Sequence, residues 1–438
     1  MATLLKSRFQ KMLGVQFLGT LITFIDRYGS VPILTYYWGL PLFGEWLLMR
    51  IVPTYLSMFE AGFPSAAGNK IVELMAKDKT QEAANLYAVT ARIIGFISIF
   101  IIVAVSCALY FGSPKTWLNL QTLSLETIIV TLLITTLNVI LIFRTQLLYA
   151  LYRSHHQQVY WSSVIQTTRL GEFIMVVVMA MLGGGVIGVA AGITFARFCG
   201  AAFLQIQSKK KIPLCQLTPN DTSLKLSRPL LKSGFGFMMM PMSQALNIQG
   251  FVWLIGFVVS PAMAATFNIY RVYSRVVFQA GDIIRRALWP ELTASYVAKD
   301  TKLFSKLLLK SILSVILIGF IGCLISYWAV DYIIPYWTLG TVQSNRDIIG
   351  LLLIVAFFGA IRYVTFTAAT AINQHSMLVM IEVIINVIAI SALYYTDYVS
   401  FMSVSLVLIM VEAIIAILVF AKTLSIVRQN ANHIPKDQ

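Results

Sequence analysis

The chain has 438 residues, is 58% hydrophobic and only 12% charged, and its mean hydropathy is +0.80. These values exclude an ordinary soluble domain and a disordered chain, and they place the protein in the membrane class. The net charge of +15 would suggest nucleic acid in a soluble protein, but its distribution along the chain points to membrane topology and to no nucleic-acid partner.

The N-terminus, MATLLKSRFQKM, is a short basic lead into the first apolar segment. No cleavage site follows at signal-peptide distance, so the first span is expected to remain in the mature protein. Segment 1 covers about 13–37 and is interrupted by Asp26-Arg27, then Gly29 and Pro32. That places a helix break and two charges near mid-membrane. A charge facing lipid there costs about 2.5–3.5 kcal/mol, so the pair must face the bundle interior. It is either a self-compensating ion pair that shapes a kink or part of a binding site.

Segment 2, about 42–67, carries Arg50, Thr54 and Ser57 at spacings of 4 and 3, with Glu60 three residues on. This is a polar stripe on one helix face. Segments 3 (about 87–111) and 4 (about 124–149) follow, the latter with Thr131, Thr135 and Asn138. Segment 5, about 159–182, places Ser162, Gln166, Arg169 and Glu172 on one face, where Arg169 and Glu172 can pair within the helix. Segment 6, about 186–205, is rich in Gly and Ala and holds Arg197, a composition suited to close helix packing.

A polar stretch at about 206–232 separates this half from the next. It holds Lys209, Lys210, Lys211, Lys225, Arg228 and Lys232 against one acid, Asp221. It reads as a cytoplasmic linker between two six-helix bundles, giving 1–207, 208–232 and 233–438 as N-terminal bundle, linker and C-terminal bundle. Most of the 33 Lys and Arg fall in predicted cytoplasmic segments, and only Lys115 and Arg346 fall in predicted outer loops. That asymmetry puts both termini in the cytoplasm.

Segment 7 covers about 234–258, with Gln244, Asn247 and Gln249. Segment 8, about 263–289, is the most polar: Asn268, Arg271, Arg275, Gln279, Asp282 and Arg286 share one face. Segment 9 (about 305–330) is nearly all apolar. Segment 10 (about 347–373) holds Arg362, Thr365 and Asn373. Segments 11 (about 376–395) and 12 (about 399–424) carry Glu382 with Asn386, and Glu412. Four scattered cysteines have no metal spacing and are expected to be small apolar residues without a disulfide. No metal, nucleotide or redox cofactor is implied.

The halves repeat. Leu4-Leu5-Lys6-Ser7 recurs at Leu230–Ser233, Phe59-Glu60-Ala61-Gly62 as Phe278-Gln279-Ala280-Gly281, Ala76-Lys77-Asp78 at Ala298–Asp300, and Gly95-Phe96-Ile97 at Gly319–Ile321. In this register Arg50 comes within one residue of Arg271. Repeats with an even number of spans share one orientation. The expected fold class is an all-α polytopic membrane protein, about twelve helices in two bundles forming a parallel pseudo-two-fold repeat.

The run GEWLLMRIVPTYLSMFEAGFPSAAGNKIVELMAKDKT (Gly44–Thr80), the counterpart RRALWPELTASYVAKD (Arg285–Asp300) and the stretch LKLSRPLLKSGFGF resemble the corresponding signatures of polysaccharide exporters. The chain is similar over nearly its whole length to the O-antigen flippases (Wzx). Their superfamily also contains the multidrug-and-toxin extruders and the lipid II flippase, which is usually longer by two helices. The resemblance implies a MATE-like fold and an undecaprenyl-pyrophosphate-linked oligosaccharide as substrate, turned across a bacterial inner membrane. It also implies membrane lipids and a polysaccharide polymerase as partners. A membrane enzyme, such as a sugar polymerase or ligase, is not expected, because the predicted outer loops are too short to carry acceptor-activating residues.

A pyrophosphate needs fixed cations, and the forked donors of Arg suit it. The candidate substrate-binding residues are Arg27, Arg50, Arg271, Arg275 and Arg362. The last four have no acid at helical contact spacing in the outer or central membrane. Asp26 and Glu60 are the candidate coupling residues, because burial raises a carboxyl pKa unless a partner opposes it. The alternative is a MATE-type cation-coupled multidrug exporter that uses Asp26 and the other acids.

Overall fold

The computed structural model describes residues 2–221, 223, 238–372, 374–396 and 398–432. Lys225, Arg228 and Lys232 of the predicted linker, with Asn373, lie outside the described residues. So does the side chain of Glu60, whose backbone is helical. The chain forms two compact units, Met1–Ala245 and Leu246–Gln438.

In the N-terminal unit, α1 spans Ala2–Ala76, α2 Thr80–Phe111, a short α3 Pro114–Trp117, α4 Leu125–Ser154, α5 Gln158–Met181 and α6 Gly185–Lys211. The first two predicted segments are the two legs of α1, and its one non-helical residue is Gly39 (φ 70°, ψ 171°). The expected break at 26–32 is absent. Proline removes one backbone hydrogen bond and can bend a helix without ending it, whereas a positive φ does end it. Gly39 adopts that φ without Cβ strain, and Pro41 starts the second leg, where its missing N–H costs nothing. α1 packs mainly on α4 and α5, and α6 packs on α4 and α5. At one end Ala66, Ala67 and Ile71 meet Leu148, Leu151 and Tyr152. The Tyr152 hydroxyl donates to the Leu204 carbonyl (3.0 Å) and Trp161 Nε1 to the Thr145 carbonyl (3.0 Å). The tyrosine and tryptophan can therefore be buried with their polar atoms satisfied.

The C-terminal unit begins with a π turn, Leu246–Gly250, leading into α7, Phe251–Val258. It continues with α8 Pro261–Val297, α9 Thr301–Trp337, α10 Arg346–Ala371, α11 Ser376–Tyr395 and α12 Phe401–Asn432. The helix α10 is its centre and is the most enclosed of the spans, packed on α8, α9 and α12. The approach of α8 to α10 depends on Gly281, where a Cβ would stand 3.0 Å from the Ala360 Cβ.

Eight helices among the described residues are long and apolar enough to cross a membrane: α2, α4, α5, α6, α9, α10, α11 and residues 401–427 of α12. The structure is all-α, and its element order repeats. A constant 221 residues separates Gly39 from Ser260, Ala76 from Val297, Thr80 from Thr301, and Leu125 from Arg346. In that register Arg50 is equivalent to Arg271, Trp46 to Phe267 and Asp26 to Asn247.

Candidate functional sites in the two units

Each unit has its own polar centre. In the N-terminal unit a cavity of about 230 Å³ is lined by residues of α1, α4 and α6, including Arg50, Thr54, Ser57, Thr135, Asn138 and Arg197. The stripe predicted on segment 2 forms one wall, because Arg50, Thr54 and Ser57 fall on one face of the second leg of α1. Arg50 is exposed. Its guanidinium lies 5.9 Å from the centre of the Trp46 ring, and among the described residues it forms no ion pair.

The second arginine of the cavity is neutralised. Arg197 Nη2 donates to Glu172 Oε2 (2.9 Å), and the charged groups approach to 2.5 Å between Nε and Oε1. Spacing within α5 predicts Arg169 as the partner of Glu172. Its hydrogen-bonded partner is Arg197 of α6, a contact between helices that spacing within one helix does not reveal.

Asp26 is half-buried and accepts a hydrogen bond from Ser30 Oγ (3.2 Å). It forms no ion pair with the exposed Arg27 among the described residues, so the self-compensating pair anticipated from their adjacency is not formed. Glu45 is fully buried and accepts the backbone N–H groups of Gln121 (2.7 Å), Thr122 (2.5 Å) and Leu123 (3.1 Å). Three backbone N–H donors thus converge on one carboxylate. It ties α1 to the turn before α4, and sequence spacing gives no sign of it.

The C-terminal unit holds a buried charged network. Arg362 of α10 donates from Nη1 to Glu382 Oε1 of α11 (2.7 Å) and from Nε to Glu412 Oε2 of α12 (2.7 Å). Its helix offers no acid at contact spacing, yet two carboxylates from other helices neutralise it. The Asn247 amide, in the π turn, donates to Glu412 (3.2 Å) and to Asn386 Oδ1 (3.4 Å), and Asn386 donates to the Glu382 carbonyl (2.8 Å). Arg271 is 5% exposed. Its Nη1 donates to the carbonyls of Asn247 (2.8 Å) and Ile248 (3.0 Å), and its guanidinium lies 6.0 Å from the Phe267 ring centre.

Two arginines and two glutamates make this network neutral overall, and its donors and acceptors meet one another. Arg275 is half-buried over the Phe278 ring at 5.1 Å. Asp282 pairs with Arg285 (3.0 Å) and Arg286 (2.6 Å). The structure therefore joins Arg271 and Arg362 through Asn247 and Glu412 within one unit, and sets Arg50 in a separate cavity of the other.

No protein-family model matches the chain, and no curated protein matches it. Solved structures do. An inward-facing multidrug resistance MATE family transporter of the MOP superfamily aligns with a TM-score of 0.78 at 11% identity, over 96% of this chain and 99% of that one. The lipid II flippase MurJ in an inward closed conformation aligns at 0.71 and 14% identity, over 95% and 91%. A point mutant of the Vibrio cholerae MATE transporter VcmN aligns at 0.64 and 15% identity, over 98% of both chains. The chain has the fold that these proteins share.

Proposed function

We propose that the protein is a flippase that moves an undecaprenyl-pyrophosphate-linked oligosaccharide across a bacterial inner membrane by alternating access. It would cross that membrane about twelve times, with both termini in the cytoplasm. The observation that carries this reading is Arg50, an exposed guanidinium on a polar cavity with no carboxylate partner among the described residues. A fixed, uncompensated cation in a polar recess favours an anionic group. Arg27, also exposed on α1, and Arg275 are further candidate contacts. Arg271 and Arg362 spend their donors within their own unit in this conformation. The fold shared with a lipid II flippase supports the reading.

The test is complementation of a deletion strain. Arg50→Ala is expected to abolish surface polysaccharide, with lipid-linked intermediates accumulating on the cytoplasmic leaflet and protein level unchanged. Arg50→Lys should rescue only partly, because a point charge lacks the two-pronged geometry. Full export by Arg50→Ala would overturn the assignment.

A cation-coupled multidrug exporter is the second reading. Asp26 favours it, as a half-buried carboxylate whose described hydrogen-bond partner is a hydroxyl. Drug-stimulated efflux that Asp26→Asn abolishes would select that reading. Glu60 remains the second coupling candidate. Transport by Glu60→Gln with unaltered dependence on an imposed proton gradient would remove it from the mechanism.

A further inference from the structure

The hydroxyls of the N-terminal cavity bond to helix carbonyls. Thr54 Oγ1 lies 2.7 Å from the Arg50 carbonyl, and Ser57 Oγ lies 2.7 Å from the Thr54 carbonyl. Thr135 Oγ1 is 2.9 Å from the Thr131 carbonyl, and Thr194 Oγ1 is 3.3 Å from the Ile134 carbonyl. A carbonyl carries no proton, so in each pair the hydroxyl must donate. In this arrangement all four hydroxyls turn their lone pairs toward a ligand.

One lining group differs. Asn138 Nδ2 is buried and has no hydrogen-bond partner among the described residues, so it is a donor in want of an acceptor. The wall thus combines several acceptors, one unmatched amide donor and the Arg50 guanidinium at the same cavity.

Three classes of ligand group can be compared with that wall. An ionised pyrophosphate has acceptors alone, and the hydroxyls could donate to it only by giving up their bonds to the helix carbonyls. A cation suits the hydroxyl oxygens but meets the charge of Arg50, while Arg197 is already matched by Glu172. A neutral hydroxyl-bearing group satisfies both sides, since each of its hydroxyls gives one proton and accepts another.

We infer that this cavity is a sugar subsite, in which Thr54, Ser57 and Thr135 accept from sugar hydroxyls and Asn138 donates to one. The inference rests on the flippase reading and divides the headgroup along α1. Arg50 contacts the pyrophosphate, while Thr54 and Ser57, about 6 and about 10 Å further along the helix axis, contact the sugar next to it. These residues then set which sugars are accepted, separately from the contact that recognises the carrier.

The experiment uses the full-length protein in lipid nanodiscs and two probes. One is the lipid-linked intermediate extracted from cells deleted for the protein, and the other is bare undecaprenyl pyrophosphate. Thr54→Val with Thr135→Val, and separately Asn138→Leu, are expected to weaken binding of the extracted intermediate by roughly three- to tenfold per lost hydrogen bond, with bare carrier bound as before. Arg50→Gln is expected to weaken both. If the valine and leucine variants lose both lipids equally, the cavity holds the pyrophosphate; the inference falls and the flippase reading stands. If they lose neither, the cavity is no ligand site and the inference falls. If the deletion strain accumulates no lipid-linked intermediate, the flippase reading itself fails and takes the inference with it.

Discussion

Arg50 and Arg271 stand at the same position of the two repeats and meet different surroundings. Each follows an aromatic residue by one helical turn and lies over its ring, Trp46 at 5.9 Å and Phe267 at 6.0 Å. Yet Arg50 is exposed on a cavity, and Arg271 is 5% exposed with its donors on two backbone carbonyls. The cause lies in the preceding helix. In the C-terminal unit the segment equivalent in sequence to Asp26-Arg27 is Asn247-Ile248, and it forms a π turn whose carbonyls accept from the guanidinium. In the N-terminal unit Asp26-Arg27 lies in regular α-helix. In one repeat the arginine is a structural clamp, and in the other it is exposed on a cavity.

The sharpest way to break this comparison is at Arg362. Its removal leaves Glu382 and Glu412 buried without their cation, and loss of one partner from such a pair costs about 3–5 kcal/mol. Arg362→Met is therefore expected to lower the unfolding temperature in detergent markedly and to reduce accumulation in the membrane. Adding Glu382→Gln and Glu412→Gln should recover most of that loss, because neutral side chains no longer need the cation. A stable, well-accumulating Arg362→Met that fails only in transport would instead place Arg362 at the substrate.

The two equivalent arginines provide the next test. Arg271→Ala removes charge-assisted bonds to Asn247 and Ile248 and is expected to cost about 1.5–3 kcal/mol. Arg50→Ala, at an exposed position, is expected to change stability by no more than about 0.5 kcal/mol. Thermal unfolding of both purified variants, compared with their transport, separates the roles. Equal destabilisation would remove the asymmetry between the units.

What was legible in the sequence follows the range of the interactions involved. Periodicity within one helix gave the stripe of Arg50, Thr54 and Ser57, because spacings of 4 and 3 depend on local geometry alone. Apolar length gave α2, α4, α5, α6 and α9 to α12, and short matches at nearly one offset gave the repeat. Pairings between helices were hidden: Glu172 with Arg197, and Arg362 with two glutamates on other helices. Spacing within a helix cannot show a partner that only packing supplies. The nest of N–H groups around Glu45 and the π turn at Asn247 were hidden for the same reason. So was the position of the first helix break, since Pro32 and Gly39 both signal one and only Gly39 adopts a positive φ.

The smallest expected effect tests whether the repeat holds in its turns as well as its helices. The loop after α1 and the loop after α8 close with matching bonds: Lys79 N–H to the Leu74 carbonyl (3.0 Å) and Asp300 N–H to the Ser295 carbonyl (3.0 Å). Each places one residue in the left-handed region, Asp78 and Lys299, both at φ 57°. That conformation costs an L-residue about 1–2 kcal/mol, less for Asp, whose short polar side chain tolerates it. Glycine relieves the strain but loses roughly 0.5–1 kcal/mol through its freer unfolded chain. Lys299→Gly should therefore be stabilising by a few tenths to about 1 kcal/mol, and Asp78→Gly should be close to neutral. Thermal unfolding of the two variants measures the difference, and a larger gain at Asp78 than at Lys299 would show that the two turns, alike in backbone, are not alike in strain.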